Sequence, residues 1–432
     1  MFRQTVRIRI PCERPARSTF IAAFPATTVH TMQYDVIIIG AGPAGLALSC
    51  SLENTGLNVL VIEKGSLDSI RVPAIDGRDI ALTHLSRKLL TRQGVWSRIP
   101  AACIHPISKA QVLDGESPYC LDFDSHDAAT DALGYLVANH VIRKALYEQA
   151  MTLSNVSIQT GVSVDAVHSS EDSAAVSLSI GDTVSAALLV AADSRFSETR
   201  RRMGISADMH DFGRVAIVCR MEHERSNDGT AFECFHYGRT LAVLPLSDTL
   251  SSIVITAPTD VADEILNMDE EWLNADIRQR FHNRLGNMKL VGKLYPYPLV
   301  AVHARKFVAK RFALIGDAAV GMHPVTAHGF NLGLRGQDTL ATGIKSALGR
   351  GTDIAAPAVL EKYQSTHRRV TLPLYTGTNH IVSLFTDDRP PARLLRKLAL
   401  RFGNHFPPVK RMITNQLTER DASKNTFLRF PL

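Results

Sequence analysis

Residues 34–63 read YDVIIIGAGPAGLALSCSLENTGLNVLVIE, and no other stretch constrains the fold as much. A β-branched run, Val36-Ile37-Ile38-Ile39, meets Gly40-Ala41-Gly42-Pro43-Ala44-Gly45. A small-residue helix follows over about 44–55, and a second apolar run from Asn58 ends on Glu63. Strand, tight turn, helix and strand in this order make a dinucleotide-binding unit. Gly40 allows the turn, Gly42 lets a pyrophosphate approach the backbone, and Gly45 lets the helix lie close to the strand. The helix N-terminus offers unpaired N–H groups and a positive dipole end. Glu63 is placed to accept hydrogen bonds from an adenosine ribose. An acid there suits an unphosphorylated ribose, hence FAD or NAD rather than NADP. The alternative is a purely structural αβ turn.

The 432 residues are 45% hydrophobic, enough for two domains or one domain with an insert. The longest apolar runs fall well short of a membrane span. Cys12, Cys50, Cys103, Cys120, Cys219 and Cys234 form no CxxC pair and read as thiols in a reducing, cytoplasmic compartment. The net charge of +6 is uneven. Residues 1–31 hold Arg3, Arg7, Arg9, Arg14 and Arg17 against Glu13 alone, so most of the excess lies in that extension. The remainder gives no electrostatic case for nucleic acid. The extension is either a disordered, dispensable tail or an organelle-targeting segment.

Beyond Glu63, Leu82, Leu85, Leu89 and Leu90 recur at helical spacing. Arg78 precedes that helix and either reaches a cofactor phosphate or flavin edge, or lies on the surface. Residues 139–151 are helical and carry Arg143. Residues 175–191 form a hairpin whose second strand runs on to Asp193, in the manner of another nucleotide-side turn. Residues 212–257 alternate as antiparallel strands and form a substrate lid or wall; residues 292–301 form an edge strand or bend at Pro296 and Pro298. An apolar strand then ends at Gly316-Asp317, and a long helix starts near Gly329, Phe330 and Asn331. Asp317 suits a ribityl hydroxyl. Gly329 and the backbone at 331–332 can lie against a ring edge, or Asn331 simply caps the helix. A helix over 361–376 stops or kinks at Pro373. Residues 389–418 hold seven basic residues and no acid, with Leu394, Leu395, Leu398 and Phe402 on an apolar side. That region lies on an anionic membrane or a partner, or docks on its own protein with a solvated basic face. No cluster has metal-ligand spacing.

The fold expected is α/β. A Rossmann-like FAD-binding domain (32–110, 139–210, 301–350) is interleaved with a mixed or antiparallel-sheet substrate domain (111–138, 211–300). An extension (1–31) precedes it and C-terminal helices (351–432) follow.

Separated landmarks in this order resemble the class A FAD-dependent aromatic monooxygenases, and within them the ubiquinone-biosynthesis hydroxylases. The resemblance spans about 34–418. It rests on GAGPAG with Glu63, DGRDIALTHLSRKLLTRQGVW at 76–96, NHVIRKAL at 139–146, LVAADSRFSETRR at 189–201 and IGDAAVGMHPVTAHGFNLGL at 315–334. Four positions depart from the family: Ser194 replaces a Gly, Val320 a His, and Ala327-His328 a Gly-Gln. The resemblance implies cofactor contacts at Gly40, Gly42, Gly45, Glu63, Arg78, Arg143, Asp193, Gly316, Asp317, Gly329, Phe330 and Asn331. It implies bound FAD, reduction by NAD(P)H, O2 addition at flavin C4a to give a hydroperoxide, and oxygen transfer to the ring of a prenylated phenol or quinol with loss of water. His323 and His328 are the candidates for proton transfer near neutrality, or they shape the pocket. The same resemblance leaves two other readings: hydroxylation of a soluble aromatic, or a flavoprotein scaffold without turnover. Location is expected to be cytoplasmic, peripheral to the inner membrane or in a multi-enzyme complex.

Overall fold

A computed structural model describes residues 32–419 apart from 116–118, 128–129, 237, 325–327 and 388. The expectations for residues 1–31 and for Ala327 lie outside the described residues. In chain order the elements are β1 (Met32–Ile39), α1 (Pro43–Ser51), β2 (Val59–Glu63), α2 (Leu67–Arg71), β3 (Asp79–Leu82), α3 (His84–Arg92), β4 (His105–Ile107), β5 (Lys109–Asp114), β6 (Cys120–Asp124), β7 (Gly134–Ala138) and α4 (Asn139–Ala150). Next come β8 (Val156–Thr160), β9 (Val164–Ser169), β10 (Ala174–Leu178), β11 (Thr183–Ala191), α5 (Glu198–Arg202), β12 (Ala207–His223), β13 (Thr230–His236), β14 (Arg239–Ser247), β15 (Leu250–Pro258), α6 (Thr259–Leu266), α7 (Glu270–Arg280) and β16 (Met288–Ala304). The chain closes with β17 (Val308–Ala309), β18 (Phe312–Leu314), β19 (Val320–Gly321), α8 (His328–Gly349), α9 (Pro357–Thr386), α10 (Pro390–His405) and α11 (Pro407–Thr418).

Val36–Ile39 are buried because β1 lies mid-sheet, parallel to β2 on one side and β11 on the other. Strands covered on both faces need such continuous apolar runs. The order β17-β18-β11-β1-β2-β8 places the ends of β1, β11 and β18 side by side, with β9 and β10 off β11. Backbone bonds from Ala192 to Ile39 (2.8 Å) and from Ile315 to Ala191 (2.9 Å) tie those ends together.

A second sheet runs β19-β16-β12-β15-β14-β13-β5-β6. Helices α6 and α7 cover one face through Ile217, Cys219, Ile253, Ile265, Leu273 and Phe281. It is mixed rather than wholly antiparallel, because β5 pairs parallel to β13. A third sheet, β3-β7-β4, lies between the two larger ones. Arg220 on β12 bonds Asp79 on β3 at 2.8 Å, and the Tyr297 hydroxyl on β16 donates to the Asp76 carbonyl at 2.5 Å. These contacts turn the other face of the second sheet toward the nucleotide-binding unit.

One local expectation changes, and the edge strand expected at Pro296 and Pro298 is longer than its sequence signal. Helix α9 does not stop at Pro373 but runs through it. Buried Tyr363, His367, Thr371 and Tyr375 hold it in place, and packing outweighs the local cost of a missing N–H. Strand β16 spans 17 residues despite Pro296 and Pro298. Its outer side bonds β19 only at Val302 and His303, so the prolines leave no ladder donor missing there.

Candidate active site

The glycine turn is shaped by close approach. Gly40 has φ +108°, and a Cβ there would lie 2.6 Å from the Ala192 carbonyl oxygen. A Cβ on Gly45 would lie 2.0 Å from the Gly40 oxygen. Gly42 differs: the nearest atom to its Cβ position is the Ala192 oxygen at 4.0 Å. Among the described residues nothing comes closer than that to Gly42, at the N-terminus of α1. Glu63 closes the turn, accepting 2.8 Å hydrogen bonds from the Ala41 and Gly65 amides. The same edge carries Asp193, whose Oδ1 is buried with no hydrogen-bond partner among the described residues, and Asp317, which Arg195 holds at 3.0 Å. Arg200 is buried and donates to the Ala318 carbonyl at 2.8 Å, bracing the turn after β18.

Helix α8 starts on this edge, and Gly333 packs on Gly316 with 3.6 Å between its Cβ position and the Gly316 Cα. At Gly329 a Cβ would meet nothing within 4 Å among the described residues. Beside it, Asn331 is buried and its side chain is committed to the protein. Its Oδ1 accepts from the Thr83 amide (3.1 Å) and the Ser86 hydroxyl (2.6 Å), and its Nδ2 donates to the Ala81 carbonyl (2.9 Å). Asn331 therefore staples α8 to α3, a role absent from the sequence reading.

Arg78 pairs with Asp76 at 2.6 Å and stacks over the Tyr297 ring at 5.1 Å. Burial pushes the Asp76 carboxyl up, but Arg78 and Asn139 outweigh it and hold the group below its ordinary value. Arg143 donates to the Ser69 carbonyl on α2 at 3.2 Å. His323 is buried against Phe212, with ring centroids 4.8 Å apart. Burial, with help from Arg214, lowers its pKa to about 4. That differs from the near-neutral value expected of a proton-exchanging histidine, because burial is the dominant influence on the ring. His328 is buried and lies 3.3 Å from the Gln416 amide on α11.

The structure thus brings Gly40, Gly42, Gly45, Glu63, Asp193, Gly316, Asp317 and the start of α8 to one edge. The open spaces at Gly42 and Gly329, the orphaned Asp193 oxygen and the acid at the end of β2 fit FAD as a ligand. Sequence reasoning missed the parts played by Thr83, Ser86, Arg195 and Arg200. For Arg195 and Arg200 the signal was proximity to Asp193.

Residues 33–375 match the FAD binding domain family. The chain belongs to this family. It is a class A flavoprotein monooxygenase closely related to the ubiquinone hydroxylases. The flavoprotein is 50% identical over 392 residues to ubiquinone hydroxylase UbiM of Neisseria meningitidis, covering 90% of this chain and 85% of that one. It is 34% identical to ubiquinone hydroxylase UbiL of Rhodospirillum rubrum, covering 90% and 91%. Among solved structures, p-nitrophenol 4-monooxygenase PnpA of Pseudomonas putida superposes with a TM-score of 0.72 at 21% identity, covering 90% of this chain and 99% of that one. That last likeness is one of fold. The flavoprotein is an FAD-dependent monooxygenase of aromatic substrates.

Proposed function

We propose that this flavoprotein hydroxylates the aromatic ring of a prenylated phenol or quinol precursor in ubiquinone biosynthesis, using NAD(P)H and O2. The observation that carries the reading is 50% identity to a ubiquinone hydroxylase across 90% of the chain. Bound FAD supplies electron uptake from NAD(P)H and activation of O2 for transfer to an electron-rich ring. The chain supplies position. The backbone at 40–42 and the N-terminus of α1 would face the pyrophosphate, Glu63 the adenosine ribose and Asp317 the ribityl chain. Gly316 would border the ribityl side, and Gly329, Phe330 and Asn331 the ring edge. Asp193 would receive a hydrogen bond at its free oxygen, and Arg78 and Arg143 would flank the phosphates from the loop before β3 and from α4. Neutral His323 shapes the pocket and excludes water rather than carrying a proton. His328, held by Gln416, is the remaining candidate for ordering the phenolic proton.

The C-terminal region is the membrane-facing part of the same reading. Leu395, Leu398 and Phe402 are 55, 53 and 58% exposed on one side of α10, and Phe406 just past its end is 46% exposed, within the acid-free basic stretch 389–418. An anionic bilayer suits an apolar stripe beside basic residues, and a second copy would set like charges against each other. The reading places the flavoprotein in the cytoplasm, at the inner face of that bilayer.

The test is oxygen incorporation. FAD-loaded protein with NAD(P)H, 18-O2 and detergent-dispersed prenylated phenols is expected to yield product heavier by one labelled atom. A labelled soluble phenol with unchanged prenylated phenols would sink the pathway reading and keep the chemistry. Consumption of NAD(P)H without labelled product from either class would sink the hydroxylase.

A further inference from the structure

Residues 76–79, which lead into β3, are gripped from both sides. On the side of the nucleotide-binding unit, Asn139 at the start of α4 donates its amide to the Arg78 carbonyl at 2.8 Å and its Nδ2 to Asp76 Oδ2 at 2.7 Å. On the other side, two strands of the second sheet reach in. Tyr297 of β16 bonds the Asp76 carbonyl at 2.5 Å, and Arg220 of β12 bonds Asp79 at 2.8 Å. Tyr295, two residues before Tyr297 and so on the same face of β16, crowds Gly77: that residue has φ +72°, and a Cβ on it would lie 2.4 Å from the Tyr295 ring. The far end of β3 is bonded by Asn331 at the start of α8, through the Ala81 carbonyl and the Thr83 amide. The gripped loop therefore shares a four-residue strand with the edge that fits FAD.

Arg78 is the cation this loop carries. Asp76 Oδ2 takes its Nε at 3.0 Å and its Nη2 at 2.6 Å, which occupies one edge of the guanidinium. The adjoining edge, Nη1 with the second Nη2 hydrogen, is not used by that carboxylate. The Arg78 side chain is 44% exposed. A guanidinium offers a rigid planar fork to a phosphate, so its value depends on how the plane is held. Tyr297 holds it twice over. Its ring lies under the guanidinium at 5.1 Å, and its hydroxyl fixes the backbone of the acid that pairs with it. Burial outweighs the neighbouring Arg78 and raises the Tyr297 phenol above its ordinary value, so the hydroxyl keeps its proton and donates at neutral pH.

We infer that Tyr297 is a positioning residue for the cofactor: from the second sheet it sets the plane of Arg78, and through Arg78 it strengthens the hold on the FAD diphosphate. The inference rests on the placement of Arg78 beside the cofactor phosphates proposed above. It does not depend on which aromatic ring is hydroxylated. The second sheet thereby takes part in holding the cofactor as well as walling the substrate. A tyrosine that only tied the sheets together would act on stability, and its removal would weaken FAD binding to the same degree whether Arg78 were present or not. A tyrosine that acts through Arg78 loses its effect once the guanidinium is gone.

The test is a double-mutant cycle on FAD release. FAD-loaded full-length protein is diluted in series, and the dissociation constant is read from the rise in flavin fluorescence at low and at high salt. Tyr297→Leu is expected to weaken FAD binding about tenfold, having lost both the ring and the hydroxyl. Tyr297→Phe, which keeps the ring and the fold around it, is expected to lose about threefold. In an Arg78→Gln background neither substitution is expected to weaken binding further. The salt dependence of FAD affinity is expected to flatten in Tyr297→Leu as it does in Arg78→Gln, because a misplaced cation no longer meets the phosphates. Wild-type affinity in both Tyr297 variants would overturn the inference. So would an equal loss with and without Arg78, which would leave Tyr297 a structural tie. Wild-type affinity in Arg78→Gln would remove Arg78 from the phosphates and the inference with it, while oxygen incorporation, scored separately, decides the hydroxylase reading.

Discussion

Glu419 accepts a 2.8 Å hydrogen bond from the Thr83 hydroxyl, joining positions 336 residues apart. Its other oxygen takes Arg335 of α8 at 3.1 Å, and its side chain is only 5% exposed. Thr83 also caps α3 and donates its amide to Asn331. The end of α11 is thereby latched to the start of α8, where the flavin ring edge is expected. Glu419→Ala leaves Arg335 without its acid in a mostly buried site. It is expected to cost about 3 kcal/mol in urea unfolding and to weaken FAD binding measured by flavin fluorescence. Unchanged affinity would confine the latch to stability.

The glycines at 42 and 45 separate binding from folding. Gly42→Ala adds a methyl where the nearest atom is 4.0 Å away, so the protein is expected to fold with a normal apo melting temperature and lose FAD affinity. Gly45→Ala forces a methyl to 2.0 Å from the Gly40 oxygen. It is expected to push α1 off β1 and yield little soluble protein. Equal FAD affinity in Gly42→Ala and wild type would show that the pyrophosphate does not sit over that turn.

The sequence made the nucleotide unit legible because its signals are local: an all-apolar strand, glycines at fixed spacing and an acid at the end of β2. The mixed sheet was legible only as separate strands, since β5 reaches β13 across more than a hundred residues that contribute to all three sheets. The Asn331 staple and the Glu419 latch were not legible, because each depends on a partner about 250 to 336 residues away. His323 was read by its residue type. Its burial, which sets its pKa, is a property of packing around Phe212 and Arg214.

Acid should destabilise the flavoprotein well above carboxylate pKa values. His303 and His323 are each lowered to about 4, chiefly by burial, from an unfolded value near 6.5. In that window the unfolded chain binds protons the folded one does not. Stability is therefore full above about pH 6.5 and is lost as pH falls toward about 4. Each histidine contributes at most about 3 kcal/mol over the window. Urea midpoints measured at neutral pH and at about pH 5 with saturating FAD are expected to fall, and His303→Gln is expected to show a shallower fall. A flat profile would mean that these rings exchange protons with solvent.

The outer side of α10 can be altered without touching what holds the helix. On the inner side Arg396 and Asp114 are paired at 3.5 Å with side chains 1 and 3% exposed, and Arg396 donates to the Phe385 carbonyl at 2.8 Å. Leu400 and Ala392 are buried beside them. Leu398 and Phe402 face away, so Leu398→Glu with Phe402→Glu is expected to leave melting temperature and FAD content unchanged. Wild type is expected to sediment with vesicles of equal parts phosphatidylglycerol and phosphatidylcholine, to stay in solution with phosphatidylcholine alone, and to be released by salt. The double variant should lose at least about tenfold in partitioning, since it removes two apolar anchors and adds two charges that the anionic surface repels. Equal binding by variant and wild type would move the bilayer contact elsewhere. A dimeric wild type made monomeric by the same substitutions would assign the stripe to a second copy of the chain.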